Sequence, residues 1–275
     1  MAEHKANIFA RRPLGTFFVL SILLFLPLFV AAGIAFTLKA PGWLQYLTQA
    51  LSSWSPTLAA IIVTGAVSGG EGVRKLLSGF LKWRVKPVWY LVAIAVPIAL
   101  GFAVAGVYYL LAGRPPDVLA SFTVTTFLGT VLNHLFRGPL GEEAGWRGFA
   151  LPRLQARYSA LRSSLILGLV VVVWHIPTFF IQGLASGKLL IFIASFVVAL
   201  MSFTVVMAWL YNNTQGSLLL AMLMHLAFNV ALTLSVVPLE VQMVILAGVY
   251  FVFALVVTLI AGPDKLRSEK VTETI

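Results

Sequence analysis

From Leu14 to Leu38 the chain runs without a single charged residue. A helix needs about 20 largely apolar residues to cross a bilayer, so a run this long excludes most water-soluble folds. Further apolar runs follow along the whole length. With Ser, Thr and Gly allowed to continue the shorter ones, they give eight spans: Leu14–Leu38, Leu51–Ser68, Val88–Ala112, Val118–Phe136, Ser163–Gln182, Leu189–Tyr211, Ser217–Val236 and Val241–Ala261. The fold class is therefore all-α, a polytopic membrane protein with about eight transmembrane helices. Hydrophobic residues make up 60% of the chain and charged residues 10%, which leaves no stretch for a soluble domain. Residues 1–275 read as one membrane domain with polar tails at 1–13 and 263–275. The first run is too long for a removable signal peptide and lacks the small-residue cleavage pattern of one.

Basic residues set the orientation, because they favour the cytoplasmic ends of spans. With a cytoplasmic N-terminus, all 19 Lys and Arg except Lys39, Arg114 and Lys188 fall on the cytoplasmic side. Both termini are thus expected to be cytoplasmic in a multi-pass protein of the cell membrane. The net charge of +10 is distributed between apolar runs and forms no nucleic-acid motif, so it reflects membrane topology. In the loop from Glu71 to Pro87, Arg74, Lys75, Lys82 and Arg84 alternate with Leu76, Leu77, Phe80, Leu81 and Trp83, the pattern of an interfacial amphipathic helix.

Ionisable groups inside spans are costly, which makes each a functional candidate. Of the 9 acidic residues, only the adjacent Glu142 and Glu143 escape the tails and exposed loops. In a helix, Glu143 and Arg147 are i,i+4 neighbours and pair, while Glu142 points about 100° away and is left to act as general base. His175 sits well inside the fifth span ahead of Pro177, and His225 in the seventh with Asn229 one turn on. There the Asn229 amide is expected to hold an imidazole nitrogen and set the tautomer. His134, at the end of the fourth span, is read as snorkelling to the interface. One tension stands: Glu142 follows the apparent end of its span while His175 lies near mid-membrane, so the Gly138–Arg147 segment must dip inward or the fourth span must be longer.

Two chemistries suit this set. His175, His225 and Glu142 could hold a metal ion such as Zn²⁺ that activates water, or Glu142 could activate water directly while His175, His225 and Asn229 stabilise an oxyanion. Cysteine is absent, which excludes thiolate ligands, and neither Gly-x-Ser-x-Gly nor His-Glu-x-x-His occurs. The same polar groups could instead serve a proton-coupled transporter, or belong to a non-catalytic immunity or scaffold protein.

At these residues the sequence resembles the CPBP family of CAAX-processing and bacteriocin-processing membrane proteins, which includes the type II CAAX prenyl proteases. Glu142-Glu143-x-x-x-Arg147 and His225-x-x-x-Asn229 match its first and third motifs. The second is matched only at His175, because Val171 stands where Phe is usual. The resemblance implies a catalytic core at 118–236 in an intramembrane endopeptidase that hydrolyses a peptide bond near the cytoplasmic surface. Glu142 would activate water, Glu143 and Arg147 would support it, and His175, His225 and Asn229 would bind water, oxyanion or metal. The implied partners are a peptide or membrane-anchored protein substrate and the lipid bilayer.

Overall fold

The computed structural model describes residues 8–118, 123–181, 189–233 and 235–267. The outer parts of both tails, with Lys5 and Lys270, and Gln182 and Lys188 lie outside the described residues. After a single turn at Ile8–Arg11 come helices α1 (Pro13–Thr37), α2 (Gly42–Ser53), α3 (Ser55–Leu77), α4 (Val88–Ala112) and α5 (Val124–Phe136). Then follow α6 (Pro139–Glu143), a π-helical segment Ala144–Ala150, α7 (Leu151–Gln155), α8 (Ala160–Ile181), α9 (Leu189–Asn213), α10 (Leu218–Thr233) and α11 (Leu239–Ala261). The extended structure among the described residues is a two-residue antiparallel bridge, Asp117–Val118 with Ser235–Val236.

Among the described residues, six helical stretches are long and apolar enough to cross a membrane: α1, α3 with the turn that follows it, α4, α8, α9 and α11. Their outward faces carry Leu23, Val30, Leu110, Leu259 and Ile260 in the open, as a lipid-facing surface requires. The two remaining expected spans take other forms. The seventh is α10, whose 16 residues reach only about 24 Å. It packs against α4, α5, α6 and α9.

The fourth is a broken run through α5, α6, the π segment and α7. Pro139 starts a fresh helix after Gly138. Pro152 lacks an N–H for the carbonyl one turn back and its ring crowds that carbonyl, which widens the preceding turns. Glu142 is thus buried in the protein interior and not in an open loop, although this run is not among the stretches long and apolar enough to cross a membrane. Arg147, expected in a basic loop, is correspondingly interior and only 3% exposed.

Small residues let this segment in. A Cβ on Gly145 would stand 2.5 Å from the Pro56 backbone, and one on Gly141 would stand 2.6 Å from Trp54. The glutamate-bearing turn thus lies directly on the start of α3, as helices approach in membranes where glycine removes the side chain between them. Gly69 (φ 64°, ψ −165°) kinks α3 in a conformation that glycine adopts without strain. The kink falls next to the expected end of the second span at Ser68, and the amphipathic stretch after it is helical to Leu77 and then a 3₁₀ turn to Leu81.

The loops expected on one side do meet at one end of the bundle. Lys82 Nζ donates to the Gln215 carbonyl at 2.9 Å, and the Lys82 carbonyl accepts from Ser217 at 2.7 Å. Asn212 donates to the Lys265 carbonyl at 2.8 Å, and the Ala160 N–H to that of Asp264 at 2.8 Å.

Candidate active site

Three elements deliver the motif side chains: the α6–π junction, α8 and α10. Glu143 is fully buried, and its Oε1 accepts from Arg147 at 3.1 Å and from His225 Nδ1 at 2.7 Å. A carboxylate has no proton to give here, so Nδ1 carries the hydrogen and His225 keeps Nε2 for other work. This corrects the expected Asn229–His225 bond. The imidazole is oriented by Glu143 from another helix, because one carboxylate oxygen reached by two donors holds it more strongly than a neutral amide would.

Glu142 points elsewhere, as its helical offset from Glu143 dictates. It is 6% exposed, and its Oε2 accepts from Trp146 Nε1 at 3.3 Å. That partner lies one turn along the same segment, a spacing visible in the sequence but not singled out. Asn229 and Glu142 both lie beside Gly138. A Cβ on Gly138 would come within 3.0 Å of Asn229 Nδ2 and 3.9 Å of Glu142 Oε1, so glycine keeps this corner open.

His175 is set by its own helix. Its Nδ1 lies 2.8 Å from the Val171 carbonyl, which can only accept, so Nε2 is its free nitrogen too. The rings of Trp174 and Phe196 flank it at 4.7 and 5.5 Å. Val171, in the place of the usual Phe, serves through its backbone.

Glu142, Arg147, His175, His225 and Asn229 line one cavity of about 190 Å³, closed by Phe203, Phe228 and other apolar side chains. Glu142 and His175 also line a second, of about 490 Å³, walled by Phe25 and Phe29 of α1, Ser52 and Ser53 of α2, Trp174 and Arg137. Arg137, expected only as a topological charge, therefore faces a cavity shared with the site. Trp146, Phe196 and the α1–α2 wall were likewise missed, since apolar and small residues in spans carry no individual signal. His134 is half-buried and does not line either cavity.

Among the described residues, no three His, Asp or Glu side chains are grouped so as to ligate a metal ion. His175 and His225 each bond through Nδ1, to Val171 and Glu143, and keep Nε2 free, an orientation that suits ligation of a metal by Nε2 as well as direct action on water.

Residues 123–231 match the family model for the type II CAAX prenyl endopeptidase Rce1-like family. Over 144 residues the chain is 28% identical to the CAAX prenyl protease 2 of Methanococcus maripaludis, a match covering 50% of this chain and 52% of that protein. The chain thus spans about half the length of the curated relative it matches. All six motif residues, from Glu142 to Asn229, fall inside the matched segment. The chain is accordingly a multi-pass membrane protein that over residues 123–231 is similar to the type II CAAX prenyl endopeptidase, Rce1-like family.

Proposed function

We propose that this protein is an intramembrane endopeptidase in which Glu142 activates water to hydrolyse a peptide bond near the cytoplasmic membrane surface, as in CAAX-type C-terminal processing. Residues 118–236 form its catalytic core, with both termini cytoplasmic. One observation carries the reading: Glu142 and His175 stand where two apolar-walled cavities meet, with His225 and Asn229 in the wall of one of them.

In this reaction Glu142 takes a proton from water as the water oxygen attacks the peptide carbonyl carbon. His175, with Nε2 free, accepts a hydrogen bond from the water's other O–H and orients the attack. The oxyanion is stabilised by Asn229 Nδ2 and by His225, whose ring Glu143 holds in place from its far side. Collapse breaks the C–N bond, and the proton held by Glu142 passes to the leaving amine. Arg147 holds Glu143 as the carboxylate. The substrate is a peptide whose membrane anchor lies in the apolar surroundings of the site.

The test is Glu142→Gln, which keeps the shape and removes the base. Measured with a lipidated C-terminal peptide on protein shown to be folded by its thermal transition, cleavage should be lost. Turnover at the parental rate rejects the assignment.

A further inference from the structure

At the end of the bundle where the basic loops meet, two more cavities adjoin. The first, about 470 Å³, is lined by Lys75, Lys82 and Arg153, with Thr64 and Tyr211. The second, about 460 Å³, adds Lys265, Arg267 and Gln155. They share Lys82, Tyr211 and Gly216. Each is of the size that takes a small ligand.

The cations come from separate elements and converge without being neutralised. No carboxylate lines the first cavity, and Asp264 is the carboxylate of the second. Lys82 Nζ is steadied by the Gln215 carbonyl, and Arg153 by the Phe149 carbonyl at 2.9 Å with its guanidinium 3.6 Å over the Phe149 ring. Neutral partners fix these groups in place and leave their charge to a ligand.

Hydrogen-bonding capacity is left over as well. Thr64 Oγ1, Gln155 Nε2 and Arg267 Nε are buried and have no partner among the described residues. Buried groups of this kind are costly unless something satisfies them. A Cβ on Gly216 would stand 3.0 Å from the Tyr211 hydroxyl and 3.6 Å from Lys82 Nζ, so the junction is kept open by a residue whose φ of 76° suits glycine.

We propose that this double cleft is a binding site for a phosphate ester, the anion that a membrane lipid headgroup presents at the ends of spanning helices. Lys75, Lys82 and Arg153 bind the phosphate oxygens, and the Gln155, Tyr211 and Arg267 side chains bind the hydroxyls of the esterified alcohol.

The experiment uses the full chain in a neutral detergent and a fluorescent phosphatidylglycerol as probe. Glycerol phosphate, inorganic phosphate and the phosphate-free lipid diacylglycerol serve as competitors. Saturable binding is expected, weakened about tenfold or more in Lys75→Gln/Lys82→Gln and in Arg153→Gln. The charge-matched control Arg74→Gln/Lys86→Gln, outside both cavities, should bind as the parent does. Competition by glycerol phosphate equal to that by unlabelled lipid assigns the site to free phosphate esters, and competition by the lipid alone assigns it to the headgroup in the membrane. Either result sustains the phosphate site. Equal weakening in the control, displacement by diacylglycerol, or no saturable binding overturns it.

Discussion

The cavity bounded by His225 and Asn229 and the cavity bounded by Arg137 and Phe25 share Glu142 and His175 and no other lining residue. The first is made wholly from the second half of the chain, α6 to α11. The second needs α1 and α2, which contribute Phe25, Phe29, Ser52 and Ser53 but no ionisable side chain. On the proposed mechanism the difference separates two tasks: groups that move protons lie on one side of Glu142, and walls that hold a chain lie largely on the other. Substitutions in the first cavity should therefore act on kcat, and those confined to the second on KM.

The largest expected effect belongs to the shared residue. Glu142→Gln should lower kcat by about 10³-fold or more, within the range of a lost general base. If KM rises instead and kcat holds, Glu142 belongs to the substrate wall and the division between the cavities is wrong.

Next comes Glu143, which touches the first cavity only through His225 and Arg147. Glu143→Gln leaves a buried guanidinium without its counter-charge, a change that costs roughly 3 kcal/mol or more. The thermal transition should fall, and kcat with it as the His225 ring loses the charge-assisted bond that orients it. Adding Arg147→Met removes the orphaned charge, so stability should partly return while kcat does not. Recovery of both would make the buried pair a purely structural device.

Packing beneath both cavities can be tested apart from chemistry. Gly145→Ala drives a methyl group to 2.5 Å from the Pro56 backbone, and overpacking of this kind costs about 1–3 kcal/mol. A lower thermal transition is expected, whereas Gly33→Ala, with nothing within 4 Å of the added carbon, should leave it nearly unchanged. Equal transitions for the two would show that α6 can withdraw from α3 without loss.

Arg137→Gln, confined to the second cavity, should raise KM several-fold at constant kcat, as loss of one exposed charged contact does. A fall in kcat of the same size would place Arg137 with the proton-moving groups.

These contrasts also explain what the sequence could disclose. Polar residues in an apolar background stand out singly, so Glu142, Glu143, Arg147, His175, His225 and Asn229 were legible, as were the long helices and the side on which the basic loops gather. Pairings between elements were not: Asn229 at i+4 from His225 suggested a local bond, and the actual partner, Glu143, lies 82 positions away. Gly138-Pro139 reads as an end in the sequence, whereas here a second short helix follows it directly and carries Glu142 and Glu143 into the interior. Phe25, Ser52 and Phe196 look like any other residues of a span, and only tertiary packing brings them to Glu142 and His175.

The finest test concerns how the wall from the first half is tied to the catalytic half. Trp174 precedes His175, lies against Trp146 and Phe25, and donates its Nε1–H to Ser55 Oγ at 3.1 Å, joining α8 to the start of α3. Trp174→Phe keeps an aromatic ring and removes that donor, which should cost about 1 kcal/mol. Ser55→Ala should cost a similar amount, and the double variant little more than either, because both delete one bond. The accompanying shift should appear in KM, since the bond braces the second cavity while Val171, on the same helix, continues to hold His175. Strict additivity of the two substitutions would mean that the halves are joined by packing alone, and that His175 takes its position without help from α3.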